Sequence, residues 1–314
     1  MKNEKYNPGF LLKSGHFNTI YPTLFRRQKA PEYKRTRLTT FDGDFLDIDF
    51  LKTGSKKIAI LCHGLEGSSQ SKYIIGTGDI LMNAGWDVAA MNYRFCSGEV
   101  NNKLRMYHSG ATEDLQVVIN ALYDEYEEIC LVGFSLGGNL CLKYCGENGN
   151  QISSKISRVV AVSVPVDLKA GSINIGKPSN FIYENKFLDS LVEKLHVKHK
   201  KYGDEIDISK LNEVKKLYDF DDLFTGPIHG FKDAEDYYRQ CSSKQFINDI
   251  KIPALIINAE DDPFLPEECY PFKEAEQNKN VSLVVPKYGG HVGFAFYNEK
   301  YYWIERKIKS WLEK

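Results

Sequence analysis

Ile129-Cys130-Leu131-Val132-Gly133-Phe134-Ser135-Leu136-Gly137-Gly138 is the stretch whose reading decides the fold. Its apolar start suits a strand buried on both faces, and residues 136–145 continue as a helix. Between them, Gly133-x-Ser135-x-Gly137 has the spacing of a nucleophile elbow, a serine held on a tight strand-to-helix turn. Side chains at the flanking positions would collide with the neighbouring strand and helix, which is why glycine is needed there. A glycine-rich turn that only packs a helix on a sheet would leave the same letters. The strand before and the helix after favour the nucleophile.

Working outward, short apolar runs recur at 58–62, 88–91, 159–164, 254–257 and 281–285, with helical stretches at 73–84, 112–126, 267–277 and 300–312. Strand and helix in alternation predict a mostly parallel, doubly wound α/β sheet with its site at the carboxyl ends of the strands. Residues 36–41 and 45–51 flank the Asp42-Gly43-Asp44 turn and read as a hairpin. The rhythm breaks between Val164 and Ala254, where 180–202, 209–218 and 234–241 are amphipathic and charge-dense. A plain crossover needs far fewer residues. The expectation is one catalytic core, 1–165 with 251–314, carrying a helical cap inserted at 166–250.

The 314 residues exceed the ~150 typical of one domain, which the insertion accounts for. Forty-one basic against 42 acidic residues give a net charge of −1. So balanced a chain offers no field for phosphates, and no nucleic-acid partner is expected. The first ten residues, MKNEKYNPGF, are polar, and the longest uncharged run, 129–142, is too short to span a bilayer, so no membrane segment is expected. Seven cysteines without a CxxC pair suit packed, reduced thiols and a cytoplasmic location. Cys141 and Cys145 share a helix face, which helix packing explains better than a metal. His196-x-x-His199, flanked by Lys194, Lys198, Lys200 and Lys201, reads as a solvated face. No cofactor and no metal are expected.

A serine hydroxyl needs a base, and the base needs a carboxylate to orient it. Of seven histidines, His291 in Tyr288-Gly289-Gly290-His291-Val292-Gly293 lies late in the chain, after the last apolar run. That is where the base falls when the order is Ser, acid, His. For the acid, Glu260-Asp261-Asp262-Pro263-Phe264-Leu265-Pro266 offers three carboxylates. The spacing to Leu265-Pro266 favours Asp262, with Asp261 a near rival and Asp167 a more distant one. An oxyanion needs two backbone N–H donors. Leu136, directly after the serine, supplies one, and Leu65 in His63-Gly64-Leu65-Glu66-Gly67 is the choice for the other. His63 itself reads as a residue that fixes this loop.

The sequence resembles the YheT-like branch of the α/β-hydrolase superfamily. The likeness is carried by Gly15-His16-Phe17-Asn18-Thr19-Ile20, by His63 through Tyr73 (HGLEGSSQSKY), and by Arg94-Phe95-Cys96-Ser97-Gly98-Glu99 with Tyr107-His108-Ser109-Gly110. Gly230-Phe231 with Tyr237-Tyr238, Asp261-Asp262-Pro263-Phe264 and Gly289-Gly290-His291 extend it over most of the chain. Phe95 stands where the family usually has glycine. The resemblance implies an α/β-hydrolase fold, a triad of Ser135, Asp262 and His291, and structural roles for Arg94, His108 and Asp114. It also implies a serine esterase acting on short- to medium-chain acyl esters, with a place in lipid metabolism. The aromatic-rich insertion (Phe181, Tyr183, Phe187, Phe231, Tyr237, Tyr238) suits such a substrate. An acyltransferase would use the same residues, and a binding protein with a dead site is the remote alternative.

Overall fold

Successive residues of a strand point to opposite faces of its sheet, and here both faces are covered. In the computed structural model, which describes residues 5–314, Ile58, Ile60, Ile129 and Leu131 pack with Leu115, Val118 and Leu140 on one side. Their neighbours Ala59, Leu61, Cys130 and Val132 pack with Ile74, Leu81, Ile304 and Ile308 on the other. Two-sided burial is why the strands read as continuous apolar runs. The first four residues of the polar decapeptide lie outside the described residues.

The strands are β1 (Lys34–Thr39), β2 (Phe45–Leu51), β3 (Lys57–Cys62), β4 (Asp87–Asn92), β5 (Glu128–Phe134), β6 (Ile156–Val162), β7 (Ala254–Ile257) and β8 (Val281–Val284). They form one sheet in the order β1-β2-β4-β3-β5-β6-β7-β8. The pairs β1–β2 and β2–β4 are antiparallel and the rest parallel. The direction of winding reverses between β3 and β5, so the loops after these two strands share one crevice. In the hairpin, Arg35 faces Asp49 and Arg37 faces Asp47, and the arginines cover these buried carboxylates.

Two expected helices differ in the structure, and one helix was not expected. The stretch 267–277 is not one helix, because Pro271 splits it into a 3-10 turn, Glu267–Cys269, and the helix Phe272–Gln277. A residue before proline is turned away from helical geometry. The last helix starts at Trp303, not at 300. A helix not foreseen, Gly15–Phe25, is capped by the Ser14 side chain and contains Pro22.

Between β6 and β7 the helices Leu168–Ile175, Phe181–Tyr202 and Ala234–Cys241 build clusters of their own around Leu195, Phe220 and Tyr237. Ile247 and Ile250 already belong to the core under the sheet.

Arg94 and Asp114 are structural. The buried guanidinium meets Asp114 at 2.7 Å, Asp42 at 2.8 Å and Asp44 at 3.0 Å, tying the hairpin turn to the helix Thr112–Leu122. Removing the cation strands three carboxylates, two of them fully buried. Arg94→Met should therefore cost about 3–5 kcal/mol, read from the urea midpoint.

Candidate active site

Ser135 sits between β5 and the helix Leu136–Asn148 with φ 52° and ψ −119°, a left-handed conformation costly for a residue with a side chain. The glycines around it make the turn possible. A Cβ on Gly133 would lie 2.1 Å from the Gly137 carbonyl oxygen, and one on Gly137 would lie 2.3 Å from the Cys62 carbonyl oxygen. The flanking glycines thus let helix, elbow and β3 touch backbone to backbone, as the motif requires.

The Ser135 Oγ lies 2.9 Å from His291 Nε2, and His291 Nδ1 lies 2.9 Å from Asp262 Oδ2 and 3.1 Å from Oδ1. With Nδ1–H donating to the carboxylate, Nε2 is free to accept the serine proton. Asp262 is buried, accepts the Phe264 N–H at 2.9 Å, and Phe264 packs its ring 4.2 Å from the imidazole. The rival carboxylates are engaged elsewhere. Asp167 accepts the Ala170 N–H as a helix cap, and Asp261 accepts the Gly290 N–H at 2.9 Å. Burial pushes the Asp261 carboxyl up to about 6.

The loop carrying His291 has little regular structure, and distant side chains hold its backbone. His291 N–H donates to Thr19 Oγ1 at 2.8 Å, Val292 N–H to Ser163 Oγ at 2.9 Å and Ala295 N–H to Asn18 Oδ1 at 3.0 Å. The helix Gly15–Phe25 therefore braces this loop. The sequence signal was the Gly15–Ile20 motif, whose meaning emerges only in three dimensions.

The loop after β3 carries Leu65, the expected second donor. His63 Nδ1–H donates to the Gly64 carbonyl at 2.7 Å and Nε2 accepts the Tyr93 N–H at 3.3 Å. Burial holds this imidazole down to about 4, which keeps it neutral. The Gly64 N–H donates to the Tyr73 hydroxyl at 2.9 Å, and a Cβ on Gly64 would lie 3.1 Å from the Ser135 Cβ. Among the described residues, the backbone N–H groups of Leu65 and Leu136 have no acceptor, and both residues line the cavity that reaches Ser135.

Glu66 ties this turn to the helix Phe181–Tyr202. Its carboxylate accepts from the Tyr107 hydroxyl at 2.6 Å, from Lys194 Nζ at 2.8 Å and from the Ser190 hydroxyl. Lys194 and Lys198 are thus not solvated, against the expectation from the lysine-rich stretch. Lys198 is fully buried and donates to the carbonyls of Asn101 and Lys103. His196 is exposed, whereas His199 bonds the Ile206 carbonyl at 3.0 Å. Phe95 takes φ 63°, the conformation that glycine adopts freely, and its ring lies under Lys194 and Lys198.

Residues 59–296 match the family described as alpha/beta hydrolase fold. The esterase-named YheT protein of Escherichia coli (strain K12) is 36% identical over 309 residues, covering 95% of this chain and 89% of that protein. The chain belongs to the YheT-like α/β hydrolases. Mouse phospholipase ABHD3 is 27% identical over 303 residues, covering 93% of this chain and 73% of the relative. Among solved structures, the Pyrococcus furiosus esterase Pf2001 superposes with a TM-score of 0.59 at 20% identity, covering 90% and 92% of the two chains. Est1E from Butyrivibrio proteoclasticus gives 0.57 at 14% identity, covering 88% and 98%. These two likenesses concern the fold. The chain is thus a hydrolase with esterase- and phospholipase-named relatives.

Ser135 opens onto two spaces. A narrow cavity of about 90 Å³ is lined by Leu65, Leu136, Leu191, Tyr237 and His108, and a wide cleft of about 590 Å³ by His291, Tyr183, Phe187 and Ile182. His108, expected to be structural, accepts the Gly110 N–H at 3.2 Å and also faces the narrow cavity. No group of three or more metal-ligating side chains occurs among the described residues, and no helix there is long and apolar enough to cross a membrane.

Replacing Lys194 by Met strands a buried carboxylate on the turn after β3. The expected loss is about 3 kcal/mol in chemical unfolding. Glu66→Gln, which keeps hydrogen-bonding capacity, should lose less.

Proposed function

We propose that this protein is a serine hydrolase of carboxylic esters, with Ser135 as nucleophile, His291 as general base and acid, and Asp262 orienting the imidazole. The observation that carries the reading is the unbroken chain of hydrogen bonds from Asp262 through His291 to Ser135 Oγ. Attack of Oγ on the ester carbonyl passes its proton to His291 Nε2 and forms a tetrahedral oxyanion. The free N–H groups of Leu65 and Leu136 receive that charge, and Leu136 begins a helix whose amino end favours it. His291 then protonates the leaving alcohol, and water repeats the sequence on the acyl-Ser135 ester.

The two spaces follow from these roles. The leaving oxygen must face His291, so the alcohol occupies the wide cleft and the acyl group the narrow cavity. The segment from Leu168 to Cys241, most of the expected 166–250 insertion, acts as a cap, while Ile247 and Ile250 pack into the core with the sheet. A short- to medium-chain acyl ester suits the mainly apolar lining and needs no cofactor.

Ser135→Ala should abolish both hydrolysis of p-nitrophenyl butanoate and labelling by a fluorophosphonate. Labelling that persists in the variant refutes the nucleophile. Asp262→Asn should lower kcat by about 10⁴ through loss of the productive tautomer, whereas Asp167→Asn should stay within a few-fold of the parent. The reverse pattern would move the acid to Asp167.

A further inference from the structure

The narrow cavity has a polar part that an all-hydrocarbon acyl chain does not explain. Asp221, Thr225 and Tyr238 from the segment between β6 and β7 line it together with Ser135. Asp221 opens a π-helical turn, Asp221–Thr225, a rare geometry that is frequent at functional sites. Its carboxylate accepts from the Tyr238 hydroxyl at 2.7 Å and from the Thr225 hydroxyl, while Ser172 Oγ lies 2.9 Å from the Tyr238 oxygen.

An ionised carboxylate offers about four acceptor positions, and two hydroxyls fill two. No cation stands beside it among the described residues. Burial pushes the carboxyl up to about 6. A methyl group placed against it would cover acceptor positions without pairing them, a costly arrangement. A hydrogen-bond donor on the ligand would fill them.

Size limits what can carry that donor. A cavity of about 150 Å³ takes a benzene molecule, roughly 25 Å³ per carbon. The 90 Å³ beside Ser135 then admits an acyl chain of about four carbons.

We infer that the preferred substrate is an ester of a short acyl group bearing a hydrogen-bond donor, a hydroxyl or an ammonium, which Asp221 receives. This rests on the hydrolase reading and on the acyl group entering the narrow cavity. Asp221 is here a specificity residue that leaves the reacting atoms untouched.

The test compares kcat/KM for benzyl butanoate with the benzyl esters of 3-hydroxybutanoate, 4-hydroxybutanoate and 4-aminobutanoate. At least one donor-bearing ester should lead by about 10-fold or more, the scale of one hydrogen bond to a charged acceptor. A lead for the amino ester alone assigns a cation, and a lead for a hydroxy ester assigns a neutral donor. Asp221→Leu should erase the lead, read as the ratio of kcat/KM for the donor-bearing ester to that for benzyl butanoate on the same variant. Asp221→Asn, closer in shape, should erase the ammonium lead and shrink the hydroxyl lead. A carboxylate that only braced Tyr238 would change stability without changing these ratios.

The inference is overturned if wild-type protein hydrolyses benzyl butanoate at least as well as all three others, or if both variants keep the wild-type ratios. If no ester is hydrolysed and Ser135 takes no fluorophosphonate label, the hydrolase reading falls, and this inference with it.

Discussion

Backbone touching backbone is the constraint on which this architecture rests. At the elbow the start of the helix Leu136–Asn148, the end of β5 and the end of β3 approach so closely that a single methyl at Gly133 or Gly137 would overlap a carbonyl oxygen. The approach forces Ser135 into positive φ and lifts its hydroxyl out of the turn. It also brings the His63–Gly64 turn against the serine. The other parts of the site are loops that had to be fitted around this point.

Those loops are held by polar side chains in place of regular structure. Thr19, Asn18, Ser163 and Asp261 each accept one N–H from the segment around His291. Neighbouring carboxylates thereby part company. Asp261 turns to the backbone, and Asp262 turns to the imidazole. Spacing to Leu265-Pro266 already favoured Asp262, but only the loop geometry shows what Asp261 does instead.

The central strands were legible because two-sided burial writes itself as unbroken apolar runs, and Gly-x-Ser-x-Gly was legible because steric exclusion leaves glycine no substitute. The helix Gly15–Phe25 was not, since it is half exposed and interrupted by Pro22. In 267–277 the break at Pro271 lies inside a run otherwise rich in helix-favouring Glu, Lys and Ala. Lys194 and Lys198 looked like solvent-facing residues because their partners, Glu66 and the carbonyls of Asn101 and Lys103, lie about a hundred residues away. Asp221 gave no signal beyond being one acidic residue in an acidic stretch. Periodicity finds faces, whereas a buried charge is recognised only by the partner it meets in space.

The bond from the His291 N–H to Thr19 joins residues 272 positions apart, and that from Ala295 to Asn18 joins residues 277 apart. Synthesis runs from the amino end, so the helix Gly15–Phe25 must wait for its partner until residue 295 has been made. β3 to β6, with the serine elbow, need nothing from residues beyond 162 for their mutual pairing. Closing so long a loop carries an entropic cost that local contacts do not face. A chain still on the ribosome can thus display its elbow serine well before His291, its hydrogen-bond partner, is seated.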